Sequence, residues 1–398
     1  MSLIPKKWQR HALFYSGAKV LSMSLNFAAS FVIILGLSDE DFGQYNLLLE
    51  KILIITGILD IASRNYFLQK FSSLSESQSR QELFKFWRII FCLILLLFIL
   101  LNNNFWKFIF IIGILNSSQI PFFSKLISDG ESKKIFAREL IIAASKLALF
   151  LFLYFVKASY IYYLLFIVLS FTTSLILFRR ENLSFGFQFL SEMRARPSFN
   201  FKDTFRSNQF LIFVSFIALT TITEKFEVFL LSKYSTNMDL GIFSKLFRLV
   251  FPFTIFSSVV TNILLPEFSK KNLTKRKMFK TFYILIGIGF IGSTILSALF
   301  PLINFIFNKP IHKWIFYLMS FLIPLYFGIN ILSNWLISKN KWTILIICYL
   351  PSFILKVFIY SFQIRTNYET AVLTFILGTL LTISMLYVFV KRNNYNGT

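Results

Sequence analysis

The chain has 398 residues, 56% hydrophobic and 19% aromatic, with 15% charged and a mean hydropathy of +0.68. So apolar and charge-poor a composition excludes an ordinary water-soluble domain and leaves lipid as the solvent. The formal net charge of +23 does not mark a nucleic-acid binder, because the cations are scattered over short segments between apolar stretches rather than gathered on one face.

At the N-terminal end, Lys6, Lys7 and Arg10 precede a first apolar window that also holds Lys19, Ser22 and Asn26. That window is too polar and too long for a signal-peptide core and is expected to be kept as the first helix. Windows bounded by charges or by Asn and Pro clusters then follow in order, near 12–36, 43–67, 86–102, 105–124, 138–156, 159–178, 208–232, 240–265, 280–306, 314–338, 342–363 and 370–390. A hydrocarbon core takes about 20 apolar residues per crossing, so about twelve crossings leave only short connections and no room for a folded extramembrane catalytic domain. The expected fold class is an all-α integral membrane protein of about twelve transmembrane helices.

With the N-terminus inside, the even-numbered connections and both tails carry roughly 27 Lys and Arg and the odd-numbered ones roughly 6, which places both termini in the cytoplasm. The largest inside connection, about Arg179 to Arg206, separates six windows from six. It divides the chain into an N-lobe over 1–180 (helices 1–6), a cytoplasmic linker over 181–206, and a C-lobe over 207–398 (helices 7–12). A short internal repeat supports the division. Asp41-Phe42-Gly43-Gln44-Tyr45 opens the second window and Asp239-Leu240-Gly241-Ile242-Phe243 opens the eighth, half the chain later. Matched helix starts in the two halves point to parallel lobes related by an axis along the membrane normal.

Ionisable side chains inside spans each cost about 2.5–3.5 kcal/mol at a helix centre unless they meet a partner or water. Lys19, Lys51, Arg64, Lys146, Lys225, Lys245, Arg248 and Lys356 outnumber the acids Glu50, Asp60, Glu139, Glu224 and Glu227, so complete internal pairing leaves a cationic interior. At 100° per residue, Lys19, Ser22, Asn26 and Ser30 share one face of the first helix. Asn46, Glu50, Gly57, Asp60 and Arg64 share one of the second, and Gln209, Thr220, Glu224 and Glu227 one of the seventh. Lys245 and Arg248 lie at i,i+3 on the eighth; Ser352, Lys356, Tyr360 and Gln363 line the eleventh. Asp60 with Arg64 and Glu139 with Lys146 also fit structural ion pairs, and Lys51, Glu224 or Lys225 could snorkel to an interface. Lys19, Arg248 and Lys356 have no evident partner within their own helices and are the strongest ligand candidates. An excess of fixed cations in a low-dielectric cavity suits phosphate or pyrophosphate, with neighbouring hydroxyl and amide groups for sugars. The 53 Phe residues are assigned to lipid contact and helix packing.

Signals that resemble catalytic motifs fail on context. Gly287, Gly289 and Gly292 spell GxGxxG inside an apolar window with no preceding strand, which reads as close helix packing. No Walker A sequence is present, so ATP hydrolysis is not expected. His11 and His312, the only histidines, fall near opposite membrane faces and cannot share a metal or a relay. Cys92 and Cys348 both sit in apolar runs and build neither a disulfide framework nor a metal cluster. Neither enzyme activity nor a cofactor is expected.

The segment LSDEDFGQYNLLLEKILIITGILDIASRNYF, residues 37–67, resembles the second-helix region of Wzx-type O-antigen and polysaccharide flippases of the multidrug/oligosaccharidyl-lipid/polysaccharide (MOP) exporter superfamily. Residues 223–270, TEKFEVFLLSKYSTNMDLGIFSKLFRLVFPFTIFSSVVTNILLPEFSK, are similar to the seventh and eighth helices of that family. The resemblance implies two six-helix bundles of MATE-like form around a cationic cavity, open alternately to each side of a bacterial inner membrane. It implies movement of undecaprenyl-pyrophosphate-linked oligosaccharide units from the cytoplasmic to the periplasmic leaflet, with the lipid tail left among membrane lipids. A polysaccharide polymerase and a chain-length regulator are the expected partners. Where family members carry an acidic-basic pair in helix seven, this chain has Glu224-Lys225. Candidate cargo contacts are Lys19, Arg64, Lys245, Arg248 and Lys356; candidate coupling or pairing acids are Glu50, Asp60, Glu224 and Glu227. The competing expectations are a multidrug or metabolite antiporter of the same superfamily, which needs acids in its cavity, and a membrane-embedded polymerase or acyltransferase, which needs a large outer loop or a His-centred site.

Overall fold

The computed structural model describes residues 6–51, 132–165, 167, 208–269, 275–305, 307, 310–339, 341–362 and 367–392. The third and fourth apolar windows, most of the second and sixth, and the 181–206 linker lie outside the described residues, as do Asp60 and Arg64. The described residues are helical between short links. They form α1 (Lys6–Gly36), α2 (39–51), α3 (Ser132–Phe155), α4 (Asn208–Tyr234), α5 (Asn237–Ser269), α6 (Lys275–Ala298), the single turn α7 (Phe300–Asn304), α8 (Lys313–Ser338), α9 (Trp342–Ser361) and α10 (Tyr368–Arg392). Each helix coincides with an expected window. The window over 280–306 is divided at Leu299 by Pro301, a residue that lacks an N–H and so favours a first helical turn, and α5 runs past Pro266 to Ser269.

Four of these helices, α6, α8, α9 and α10, are long and apolar enough to cross a membrane. α1, α3, α4 and α5 are of comparable or greater length, from 24 to 33 residues, but carry more charges within them, although α9 also holds the buried Lys356. Phe155, Ile291, Leu302, Phe305 and Phe362 are strongly exposed, as expected where apolar side chains face lipid.

Two compact units are present. One comprises 1–22, 51–149 and 164–217; the other 23–50, 150–163 and 218–398. In the first, the Ser22 hydroxyl of α1 donates to the Glu139 carboxylate of α3 at 3.2 Å. The second is built on α8, of which 72% of the apolar window is buried against 28% for α6 and α9. Close approach explains the glycines here. A Cβ on Gly289 of α6 would strike the backbone of Pro324 in α8, and one on Gly292 would press on Phe253 of α5 and Ile323 of α8. Gly287 faces open space, so two members of the GxGxxG pattern serve helix packing and the third does not.

The repeat is visible in the backbone of this second unit. α1 ends at Gly36 and α4 at Tyr234, and each is followed by a two-residue link into α2 and α5. Ser38 and Thr236 then cap those helices in the same way. Each hydroxyl accepts from the N–H of Asp41 or Asp239 at 3.1 Å and donates to that residue's carboxylate, at 3.0 and 3.1 Å.

Candidate functional site

The polar interior of the second unit forms three clusters. The first lies where α2 and α5 begin. Lys245 of α5 is fully buried, its ammonium 2.7 Å from the Asp39 carboxylate and donating to the Leu37 carbonyl at 3.1 Å, with the rings of Phe42 and Phe307 within 6.0 Å. A charge this dry is tolerated only beside a compensating partner, and Asp39 is that partner.

A second cluster adjoins the first and runs up to three helical turns along α2, with Asn46, Ser244 and Glu50 buried and Lys225 and Arg248 partly exposed. Asn46 of α2 donates to Ser244 of α5 at 3.0 Å, and its carbonyl oxygen accepts from the Arg248 guanidinium at 3.1 and 3.4 Å. Arg248 also lies over the Tyr45 ring at 5.9 Å. Among the described residues its guanidinium meets no carboxylate. Lys225 of α4 pairs with Glu50 of α2 at 2.8 Å and retains 12% side-chain exposure.

The third cluster joins α4, α8, α9 and α10. Lys356 of α9 is 2.7 Å from the Glu227 carboxylate of α4, with side-chain exposures of 2% and 0%. It also donates to the Thr223 carbonyl at 2.7 Å and sits over the Phe375 ring at 4.5 Å. Gly378 of α10 makes room for it: a Cβ there would press on Lys356 and Ser352 at 2.7 Å. Beside this pair a small, partly open pocket is lined by Glu224, Tyr326, Tyr349, Ser352, Thr379 and Thr382 among others. Glu224 and Glu227 are i,i+3 on α4, yet Glu227 is sealed while the Glu224 side chain is open to the pocket. The chemistry available is therefore one matched ion pair and one accessible carboxylate among hydroxyls.

The sequence-predicted residues thus separate. Lys245, Arg248 and Lys356 all point inward, but Lys245 and Lys356 are matched by carboxylates from other helices, whereas Arg248 is held by a neutral amide. Lys19 lies on α1 with its side chain outside the described residues. Glu50 and Glu227 are ion-paired and Glu224 faces the pocket. Asp39, Tyr326, Tyr349, Thr379 and Thr382 belong to the site and are not among the candidates from sequence. The repeat carried a signal for Asp39: Asn237 stands at the matched position before the eighth window.

No family model and no curated protein matches the sequence. Among solved structures the chain is similar to the lipid II flippase MurJ in an inward closed conformation, with a TM-score of 0.56, 16% identity, and coverage of 95% of this chain and 87% of that one. It is similar to a MOP superfamily transporter from Pyrococcus furiosus with reverse polarity of its binding pocket, with a TM-score of 0.61, 10% identity, and coverage of 96% and 94%. A multidrug resistance MATE family transporter in an outward-facing conformation aligns with a TM-score of 0.59, 12% identity and coverage of 96% and 94%. The chain therefore shares the fold of these solved structures over the coverage given.

Proposed function

We propose that this chain is a flippase that moves undecaprenyl-pyrophosphate-linked oligosaccharide units, of O-antigen or capsule type, from the cytoplasmic to the periplasmic leaflet of a bacterial inner membrane by alternating access. Both termini lie in the cytoplasm in this reading, and the two six-helix lobes, 1–180 and 207–398, supply the two sides of the path. The supporting observation is Arg248: a half-buried guanidinium bonded to a neutral amide keeps its full charge for an anionic headgroup. A guanidinium fork matches phosphate oxygens in pairs. Lys19 and Arg64 complete the cationic set. Lys245 and Lys356 are neutralised by Asp39 and Glu227 in the conformation described and become cargo contacts only if those pairs separate. Glu224, open to a hydroxyl-lined pocket, is the best placed of the described coupling acids to take up a proton. The sugars occupy the cavity, the polyprenyl tail stays among membrane lipids, and a polymerase and chain-length regulator receive the product.

Replacing Arg248 by Gln should abolish surface-polysaccharide assembly at normal protein level, with lipid-linked sugar accumulating in the membrane. Undiminished export from both Arg248→Gln and Arg64→Gln overturns the reading. A multidrug or metabolite antiporter is the second reading, favoured by the open Glu224 carboxylate, which suits a cationic solute. In that case Arg248→Gln leaves polysaccharide untouched and Glu224→Gln abolishes solute efflux.

A further inference from the structure

Gly287 serves no helix contact: a Cβ there would meet nothing within 4 Å. Its neighbours on α6 are large and exposed, Tyr283 at 57%, Ile284 at 54% and Ile291 at 63%. The glycine is therefore a notch in an otherwise apolar face. Toward the start of α6, Gly287, Tyr283, Lys280 and Arg276 succeed one another at spacings of three or four residues and so lie on one stripe, and all four are exposed. Over about 16 Å of helix that stripe passes from charge, through a phenol, to bare backbone among exposed apolar side chains. The same order of polarity runs from the headgroup of a lipid into its chains.

The last turn of α10 comes to the same place. Lys275 donates to the carbonyl of Lys391, and the hydroxyls of Tyr283 and Tyr387 are 3.1 Å apart. Phe279 and Phe282 pack on the Tyr387 ring, with centroids at 5.5 and 5.8 Å, and the Lys391 ammonium lies over that ring at 5.7 Å. Deeper in, Ile286 of α6 and Ile383 of α10 both reach Gly328 of α8, so α8 floors the space between the two helices. Lys275, Arg276, Lys277, Lys280, Lys391 and Arg392 thus stand on two adjoining helix ends, and neither the first turns of α6 nor the last turn of α10 holds an acid. Cations suit the C-terminal end of α10, but those in the first turn of α6 oppose the dipole of their own helix. So dense an array of like charge is unfavourable alone and is relieved by an anion.

We propose that this end of the α6–α10 pair is a binding site for an anionic phospholipid of the cytoplasmic leaflet. Its phosphate rests on Arg276, Lys280 and Lys391, its ester region lies beside the Tyr283 and Tyr387 hydroxyls, and one acyl chain is laid in the notch at Gly287. The orientation proposed above puts this helix end on the cytoplasmic side, where basic clusters beside a span attract anionic lipid and phenols settle at headgroup level. A soluble acidic partner would use the cations alone; the unbroken passage from charge to apolar notch selects an amphiphile. None of these residues belongs to the three polar clusters, so the site stands apart from Arg248 and Glu224 and does not depend on what the chain carries.

The test titrates the full-length chain in detergent with phosphatidylglycerol, with phosphatidylcholine of the same acyl chains, and with inorganic phosphate, and reads bound lipid by native mass spectrometry. Phosphatidylglycerol should bind roughly tenfold tighter than phosphatidylcholine, and inorganic phosphate should not displace it at equal concentration. The triple variant Arg276→Gln, Lys280→Gln, Lys391→Gln should lose that preference, at least about tenfold in affinity, since each cation near an anionic headgroup contributes roughly fivefold. Gly287→Leu, which fills the notch at an open position, should weaken phosphatidylglycerol several-fold. Lys313→Gln, at the lysine–tyrosine pair that opens α8 with Lys313 over Tyr317 at 5.5 Å, should change nothing. Equal binding of the two lipids, unchanged affinity in the triple variant or in Gly287→Leu, or displacement by inorganic phosphate overturns the site. So does displacement of phosphatidylglycerol by an equal concentration of undecaprenyl pyrophosphate, which would assign these residues to the cargo. No readout requires transport, so a failure here leaves the proposed function standing, and loss of the proposed function leaves the lipid site standing.

Discussion

Lys356 shows how a buried charge constrains its neighbours. Its ammonium has one carboxylate, one backbone carbonyl and one ring around it, and Gly378 is small because the lysine stem needs that volume. Removing one member of such a pair leaves an uncompensated charge and costs about 3–5 kcal/mol, whereas replacing both by apolar groups of similar size is often neutral. Lys356→Met alone should therefore lower the thermal unfolding midpoint of the detergent-purified protein sharply, and so should Glu227→Gln alone. The double variant should recover most of the loss. Additive losses in the double variant would show that Lys356 and Glu227 act independently. From sequence, Lys356 is visible only as a cation on the polar face of its helix. Its carboxylate comes from α4, more than a hundred residues earlier, and no periodicity within α9 announces it.

The elements follow their sequence patterns closely, because lipid leaves a helix almost no alternative: every backbone N–H and C=O in hydrocarbon must be bonded within its own segment. What varies is how near two helices come. Gly289 touches the Pro324 backbone while Gly287, half a turn away, faces open space. A leucine at 289 should cost about 1–3 kcal/mol through overpacking, read as reduced stability and yield of folded protein, and a leucine at 287 should be tolerated. Equal sensitivity at both positions would contradict the packing of α6 on α8. The caps are local in the same way: Ser38 with Asp41, and Thr236 with Asp239, are hydroxyl-x-x-acid sequences ahead of apolar runs, a pattern the sequence analysis did not use, and in both the hydroxyl accepts the acid's backbone N–H at 3.1 Å.

At the scale of the molecule, the unequal distribution of lysine and arginine among the connections predicts an orientation. A reporter fused after residue 398 that matures only in the cytoplasm should be active, and the same reporter inserted at the Ser235–Thr236 link should be silent. Active reporters at both places would abolish the proposed topology. Composition, hydropathy windows and the half-chain repeat, all readable in one dimension, pointed to a helical membrane protein and to the positions of the helices described, because hydrocarbon solvation acts on each segment separately. Only the tertiary structure decided which charges are spent on one another: Lys245 with Asp39, Lys225 with Glu50 and Lys356 with Glu227, leaving Arg248, among the described residues, on a neutral amide. Those pairings join residues far apart in the chain, and electrostatic compensation depends on separation in space, which helical phase within a single segment does not carry.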